Sequence, residues 1–218
     1  MNWQSRTELL LGKESLARLS SANVLVVGLG GVGAFAAEMI CRAGVGSMTI
    51  IDGDIVNESN INRQLVALKS TIGKNKTEIL AERLLDINPD LKLEIITEYI
   101  RDERMITILD QGYEYVVDAI DTLSPKIFLI FHSMQRDIPL VSSMGAGGKL
   151  DPSKIEITDI SKTYNCKLAR ILRKRLHRLG IRKGFKAVFS PEEVTDESVV
   201  LTEGEQNKKS NVGTISYL

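Results

Sequence analysis

Residues 24–33, VLVVGLGGVG, decide the fold of this chain. The first four are apolar and mostly β-branched, as in a strand that is buried on both faces of a parallel sheet. Gly28, Gly30 and Gly33 follow in the spacing G-x-G-x-x-G, and residues 34–43 then show the pattern of a helix. The stretch therefore predicts a strand, a tight glycine turn and a helix, which is the context that this glycine spacing requires.

The alternation of strands and helices continues along the chain. Further strands are predicted at 48–51, 91–96, 115–118 and 139–142, with helices at 74–85, 102–109 and 124–135. Two short helical pieces, broken at Gly12, precede the first strand. This order predicts an α/β fold, a Rossmann-like doubly wound and mostly parallel sheet with flanking helices.

The length of 218 residues and the hydrophobic fraction of 43% suit one domain with one sizeable core. We expect it to span 1–218. Its parts are an N-terminal helical arm at 1–22, a nucleotide-binding core at 23–160, a basic helical insertion at 161–190, and a loop with a terminal strand at 191–218.

Composition sets limits on the class of protein. Lys and Arg total 28, as do Asp and Glu, so net charge argues neither for nor against nucleic acid. The two cysteines, Cys41 and Cys166, fit a reducing compartment and exclude a four-cysteine zinc site. The N-terminus has no basic stretch followed by an apolar run, so we expect no signal peptide, no membrane insertion and a cytoplasmic location.

The glycine turn predicts a nucleotide site. Gly28 allows the tight turn, Gly30 lets backbone N–H groups approach a phosphate, and the helix that follows presents its positive end to that anion. Asp52 ends the second strand about 20 residues later, where a carboxylate accepts hydrogen bonds from ribose hydroxyls. These features fit NAD as well as ATP, and the alternative is a packing turn with a surface aspartate.

The residues after Asp52 favour ATP. Residues 57–64 carry amide side chains and Arg63, and Lys74 and Lys76 follow at the start of a helix. A dehydrogenase gains little from extra cations, whereas adenylation must neutralise charge on the α-phosphate and on departing pyrophosphate. The alternative for Arg63 and Lys76 is ordinary surface charge.

Two carboxylates three residues apart, Asp118 and Asp121, lie at the C-terminal end of the strand predicted at 115–118. Mg²⁺ commonly uses one or two carboxylates together with phosphate oxygens and water, so Asp121 alone would suffice. Asp118 would then brace its loop or cap the following helix.

These motifs resemble one known family. The residues concerned are Gly28-x-Gly30-Gly31-x-Gly33, Asp52, Asn60-x-x-Arg63-Gln64, Lys76 and Asp121. They are similar to the motifs of the E1-like adenylyltransferases, which include the activators of ubiquitin and of bacterial sulfur-carrier proteins. The resemblance implies that the glycine loop, Asp52, Asn60 and Gln64 bind ATP, that Arg63 and Lys76 contact its phosphates, and that Asp121 holds Mg²⁺.

Arg6 resembles the family's N-terminal arginine, which reaches the ATP of the partner subunit in a homodimer. The resemblance therefore implies a homodimer whose catalytic residues are Arg6, Arg63, Lys76 and Asp121. The alternative for Arg6 is a solvated charge near a chain end.

Four segments select a subfamily. Residues 118–121, 138–148, 151–153 and 160–163 resemble the tRNA threonylcarbamoyladenosine dehydratases, and the paired CxxC motifs of many sulfur-carrier activators are missing. The resemblance implies ATP-dependent adenylation and cyclisation of a threonyl side chain in tRNA, with a sulfur-relay protein as a further partner. Two alternatives stay open: an enzyme that adenylates the C-terminus of a sulfur-carrier protein, and a degenerate nucleotide-binding partner protein.

The segment between Asp159 and Glu192 contains no acidic residue, while leucines recur in it at helical spacing. A helix packed through its leucines would present cations to a phosphate backbone. The alternatives are a solvated amphipathic helix and a helix on a membrane surface. The candidate RNA-binding residues are Lys167, Arg170, Arg173, Lys174, Arg175 and Arg178.

Residues 212–218 resemble the start of a strand. Members of the family continue beyond this point with a C-terminal helix. The resemblance therefore predicts that this chain is truncated.

Overall fold

The computed structural model describes residues 3–195, 198–201 and 210–216. Two short helices, α1 (Ser5–Leu11) and α2 (Lys13–Ser21), precede the sheet and have no buried residue. Gly12 separates them with a φ of 80°, a backbone angle that favours glycine, so the break expected there is confirmed.

Within the described residues, the centre of the molecule is a seven-stranded sheet. Its strands are β1 (Asn23–Val27), β2 (Ser47–Ile51), β3 (Lys92–Ile96), β4 (Tyr115–Asp118), β5 (Leu140–Ser143), β6 (Glu156–Asp159) and β7 (Lys186–Phe189). Their order is β3-β2-β1-β4-β5-β7-β6, and every neighbouring pair is parallel except β6 and β7. The predicted doubly wound α/β fold is confirmed.

Five helices pack on the two faces of this sheet. They are α3 (Gly33–Ala43), α4 (Lys76–Ile87), α5 (Asp102–Leu109), α6 (Leu123–Gln135) and α7 (Lys167–Arg178). Because successive strand residues face opposite sides, Val26 belongs to the apolar cluster that includes residues of α3 and α4, whereas Leu25 belongs to the cluster that includes residues of α5, α6 and α7. None of the described helices is both long enough and apolar enough to cross a membrane.

The segment at 161–190 differs from the expected helical insertion. Its helix is α7, but residues 186–189 form β7, which lies between β5 and β6. Ala187 and Phe189 are buried, and the lysine at 186 is exposed at the start of the strand. The sheet therefore extends past residue 160, and α7 is the connection between β6 and β7.

The C-terminal part also differs from the expectation. A separate antiparallel pair is formed by β8 (Val199–Leu201) and β9 (Ser210–Val212). Residues 213–216 are not a strand, so the terminal strand predicted from 212 is wrong over this part, and Tyr217 and Leu218 lie outside the described residues. In the segment at 191–218, which was expected to be a loop with a terminal strand, residues 196–197 and 202–209 lie outside the described residues too.

Candidate functional site

The residues predicted to bind ATP lie near the ends of β1, β2 and β4. These three strands are adjacent and parallel, so their carboxyl ends lie at the same edge of the sheet. From β1 the chain runs through β2 to β3 on one side, and it then crosses to β4 on the other side of β1. This reversal of direction opens a crevice at the carboxyl edge.

Three glycines of the turn differ in the space around them. Gly28 has a φ of 89°, and a Cβ there would lie 2.7 Å from the Ala119 carbonyl oxygen. A Cβ at Gly33 would lie 1.7 Å from the Gly28 carbonyl oxygen, so both positions need glycine for the fold. The atom nearest to a Cβ at Gly30 would be Nε2 of Gln64, at 3.8 Å, so a side chain or ligand has space there. Gly30 is therefore open to an approaching ligand.

Gln64 supplies an unsatisfied polar atom beside this open space. The residue is buried, and its Oε1 has no hydrogen-bond partner in the described structure. A buried acceptor without a partner is costly, and a ligand hydroxyl or amino group would satisfy it. A nucleoside carries both groups, so the cradle fits ATP.

Asp52 lies at the end of β2 and braces the glycine turn. Its Oδ2 accepts a hydrogen bond from the Leu29 N–H at 2.6 Å, and its Oδ1 accepts one from the Asp54 N–H at 2.7 Å. Burial raises the pKa of the Asp52 carboxyl, and the positive charge of Lys76 opposes that rise. Binding of ribose by the remaining lone pairs stays a prediction.

Lys76 is the first residue of α4 and is 4% exposed. Its Nζ lies 2.8 Å from Oδ2 of Asp54, whose Oδ1 accepts a hydrogen bond from the Tyr99 hydroxyl. That hydrogen bond, together with burial and the nearby carboxylates of Asp54, Asp52 and Asp121, raises the pKa of Tyr99 to about 12. Lys76 and the three aspartates therefore lie in one electrostatic group.

Asp54 and Tyr99 are not among the site residues predicted from the sequence. Asp54 carries a usable signal, because it is a second carboxylate two residues after Asp52 at the end of a strand. Tyr99 follows β3 in a segment that contains no motif, and its approach to Asp54 depends on the sheet order.

Arg63 lies in a tight turn that Asn60 organises. Oδ1 of Asn60 accepts a hydrogen bond from the Asn57 N–H at 3.0 Å, which holds the carboxamide within the turn. Nη1 of Arg63 donates to the Ser59 carbonyl at 2.9 Å and to Oδ1 of Asn62 at 2.8 Å. Among the described residues Arg63 makes no ion pair, so its positive charge can serve a bound anion.

Asp118 has a structural role. It is fully buried, and its Oδ2 lies 2.9 Å from Nζ of Lys126. The same oxygen accepts a hydrogen bond from the Ser142 hydroxyl at 2.6 Å. Its Oδ1 accepts the Ile120 N–H at 3.1 Å. These contacts confirm that Asp118 braces the loop leading to Asp121.

Asp121 is exposed at the carboxyl edge. The described residues contain no group of three or more His, Cys, Asp or Glu side chains that could hold a metal ion. A magnesium ion there would need phosphate oxygens as well as Asp121, and this donor set is one that Mg²⁺ commonly uses.

Arg6 lies on α1, away from the glycine turn of its own chain. Gln4, two residues earlier, packs against Gly44 at the C-terminal end of α3. The glycine turn is at the other end of α3, which has 11 residues and is about 16 Å long. Arg6 is exposed.

The basic helix α7 packs through Ala169, Leu172 and Leu176, which are buried. Arg173 is half-buried, and its guanidinium donates to the carbonyl oxygen of Thr163 at 2.7 Å and to the Thr163 hydroxyl. Arg173 therefore supports packing, unlike the other five candidates. The exposed cations of α7 are Lys167, Arg170, Lys174, Arg175 and Arg178.

Comparisons with known proteins identify the family of this chain. The ThiF family model matches residues 4–201. A tRNA threonylcarbamoyladenosine dehydratase of Bacillus subtilis is 45% identical over 188 residues, covering 86% of this chain and 74% of the relative. The enzyme of that name from Escherichia coli is 40% identical over 200 residues, covering 87% and 75%.

The fold matches solved structures as well. The crystal structure of the Escherichia coli tRNA N6-threonylcarbamoyladenosine dehydratase in complex with ATP has a TM-score of 0.85 and 39% identity, covering 89% of this chain and 84% of that one. The complex of the same enzyme with AMP has a TM-score of 0.84 and 40% identity, covering 88% and 83%. The match to the family model over most of the chain shows that this protein belongs to the ThiF family.

Proposed function

We propose that the chain is an ATP-dependent dehydratase that cyclises N6-threonylcarbamoyladenosine in tRNA through an acyl-adenylate. The observation that carries the proposal is the open cradle at Gly30 and Gln64 beside the cations of Arg63 and Lys76. The names of the Bacillus subtilis and Escherichia coli relatives, and the ATP bound to the Escherichia coli enzyme, support the same reaction.

In the proposed first step, a carboxylate oxygen of the threonyl group attacks the α-phosphorus of ATP and pyrophosphate leaves. Arg63 and Lys76 stabilise the negative charge that grows on the phosphates. Mg²⁺, held by Asp121 and phosphate oxygens, would neutralise charge on the departing pyrophosphate. An internal nucleophile of the same side chain then attacks the activated carbonyl and gives up its proton to solvent, and AMP leaves with one carboxylate oxygen. The nucleoside thereby loses one water.

The cysteines argue against transfer of an activated protein to a thiol. Cys41 and Cys166 are both buried, and burial raises the pKa of the Cys41 thiol. A thioester acceptor needs an accessible thiolate. Activation of a sulfur-carrier protein is therefore the less favoured function.

A direct test uses purified protein, ATP, Mg²⁺ and tRNA that bears threonylcarbamoyladenosine. We expect AMP release together with loss of one water mass from the digested nucleoside. Release of AMP only when a sulfur-carrier protein is added would support the alternative substrate. Absence of AMP with both substrates would contradict the enzymatic function and favour a degenerate nucleotide-binding protein.

The exposed cations of α7 form the proposed tRNA surface. We expect Lys174→Glu/Arg178→Glu to weaken tRNA binding and to lower the slope of log affinity against log salt by about 2. A matched control, Lys92→Glu/Arg101→Glu, changes two exposed cations near β3, at the opposite edge of the sheet. An equal loss of tRNA affinity in the two double variants would show that α7 is not the tRNA-binding surface.

We also propose a homodimer. Leu9 and Leu10 on α1 are 84% and 83% exposed, and Met39 on α3 is 54% exposed. A neighbouring apolar groove of about 830 Å³ lies between α2, α3 and the sheet. Exposed apolar side chains and an apolar groove of this kind are typical of an interface, and a second copy could bring its Arg6 to the nucleotide.

Co-expression of Arg6→Ala with Asp121→Ala tests this arrangement. If Arg6 acts on the partner's site, each mixed dimer has one intact site, and roughly a quarter of wild-type activity returns. If Arg6 acts in its own subunit, no activity returns and the dimer proposal loses its catalytic basis.

A sulfur-relay protein partner and a cytoplasmic location remain part of the proposal, because the family resemblance implies the first and a tRNA substrate implies the second. Crosslinking in cells followed by mass spectrometry and fractionation would check both. Recovery of the protein outside the cytoplasmic fraction would contradict the location.

A further inference from the structure

We propose that Asp54 and Tyr99 are positioning residues that hold Lys76 at the phosphate end of the crevice. This inference rests on the ATP-dependent function proposed above. It assigns a role to two residues that no motif singled out and that act through Lys76 instead of through ATP.

The position of Lys76 is unfavourable for a cation by itself. It begins α4, where the helix dipole is positive, and its side chain is 5% exposed. A buried ammonium at the positive end of a helix needs a counter-charge. Oδ2 of Asp54, at 2.8 Å, supplies it.

The backbone fixes Asp54 against α4. The Lys76 N–H donates to the Asp54 carbonyl oxygen at 3.1 Å, and the Asp54 N–H donates to Oδ1 of Asp52 at 2.7 Å. The loop after β2 and the start of α4 are thereby joined by both main-chain and side-chain contacts. The positive charge of Lys76 also acts on the carboxylate of Asp52, which accepts the Leu29 N–H of the glycine turn.

Tyr99 sets the orientation of the Asp54 carboxylate. Its hydroxyl donates to Oδ1, which leaves Oδ2 for Lys76. The ring lies over Gly53, where a Cβ would be 2.7 Å from two ring atoms. The Asp54 side chain is 45% exposed, so without Tyr99 it could rotate toward water.

This arrangement has a distinctive energetic consequence. Phosphate oxygens must compete with Asp54 for Lys76, so Asp54 weakens the attraction of Lys76 for bound ATP while it fixes the place of the ammonium. Positioning raises the rate of the chemical step without strengthening ground-state binding. Loss of Asp54 should therefore slow adenylation without weakening ATP binding.

The test is a cycle of Asp54→Asn, Lys76→Met and the double variant, with ATP affinity and binding stoichiometry measured by calorimetry. We expect Asp54→Asn to bind ATP at least as tightly as wild type at unchanged stoichiometry. Lys76→Met should weaken ATP binding in both backgrounds. The factor should be at least roughly threefold larger in the Asp54→Asn background than in the wild-type background, because Lys76 then pairs with phosphate alone. Equal factors in both backgrounds would overturn the inference.

Kinetics give a second readout. Asp54→Asn should slow AMP release roughly tenfold in single turnover, and the slowing should disappear in the Lys76→Met background. Equal slowing in both backgrounds would overturn the inference, because Asp54 would then act independently of Lys76. If wild type releases no AMP, the dehydratase proposal fails, but the ATP cycle still decides the positioning role.

Tyr99→Phe removes the hydroxyl and keeps the ring of a residue that is 67% exposed. It should change ATP affinity and rate in the same directions as Asp54→Asn, by a smaller factor. Tyr164→Phe is the matched control, since Tyr164 is 48% exposed and its hydroxyl donates to Glu156 on β6. If the two substitutions change ATP affinity equally, Tyr99 has no positioning role.

Discussion

Replacing Lys126 by methionine should lower the free energy of unfolding by about 3–5 kcal/mol. The side chains of Lys126 and Asp118 are both 0% exposed, and Nζ lies 2.9 Å from Oδ2. Methionine fills most of the space left by the lysine stem, so cavity formation contributes little. The expected loss arises because the buried Asp118 carboxylate would be left without its counter-charge.

Urea denaturation followed by circular dichroism at neutral pH would measure this change. The control is Lys154→Met, which breaks a pair with Asp151 whose side chains are 55% and 41% exposed. Exposed pairs contribute up to about 1 kcal/mol, so the control should unfold nearly as wild type does. A loss below about 1 kcal/mol for Lys126→Met would refute the reasoning, because it would mean that the buried pair stabilises no more than a surface pair.

The same substitution should affect the crevice. Lys126 also donates to the Ile120 carbonyl at 2.9 Å, while Asp118 accepts the Ile120 N–H at 3.1 Å, so the pair holds the loop that leads to Asp121 from both sides. The double variant Asp118→Asn/Lys126→Met should regain part of the lost stability, because it removes the unpaired charge. A double variant less stable than Lys126→Met would contradict this account.

Three further predictions concern single residues. Gly33→Ala should prevent stable folding, because its methyl group would lie 1.7 Å from the carbonyl oxygen of the first glycine. Gly30→Ala should melt at the wild-type temperature and bind ATP roughly tenfold more weakly. Thermal denaturation and ATP titration check both variants, and equal melting temperatures for the two would contradict the distinction. Arg63→Ala should slow AMP release by about 10²–10³-fold in single turnover, and a wild-type rate would remove its phosphate role. The hydrogen bond from Arg83 lowers the pKa of the Glu38 carboxyl below its ordinary value of 4.5. The stability that the Glu38 carboxylate contributes is therefore present above that pH, and it is lost as the pH falls through the lower pKa of the folded state. The difference in unfolding free energy between wild type and Glu38→Gln should therefore hold at neutral pH and vanish in acid, and a difference that persists at about pH 2 would contradict this.

Local patterns predicted most of the fold because they follow short-range rules. The run at 24–27, the glycine spacing after it and the cap at Gly44 each depend on a few neighbouring residues, and the structure contains all three. The strand at 186–189 was missed because it follows a basic helix and begins with a lysine. Its pairing with β5 is a long-range contact that no local pattern records.

The candidate site divides in the same way. The sequence by itself determined the α/β fold, the glycine turn and the expected positions of Asp52, Arg63, Lys76 and Asp121, because strand ends and turn residues fix them locally. Tertiary structure decided which side chains meet. The order β3-β2-β1 brings Tyr99 to Asp54, and burial makes Arg173 a packing residue despite its place in a basic helix. Sequence spacing cannot give these contacts, because they depend on how strands far apart in the chain pair and on which helix face the core covers.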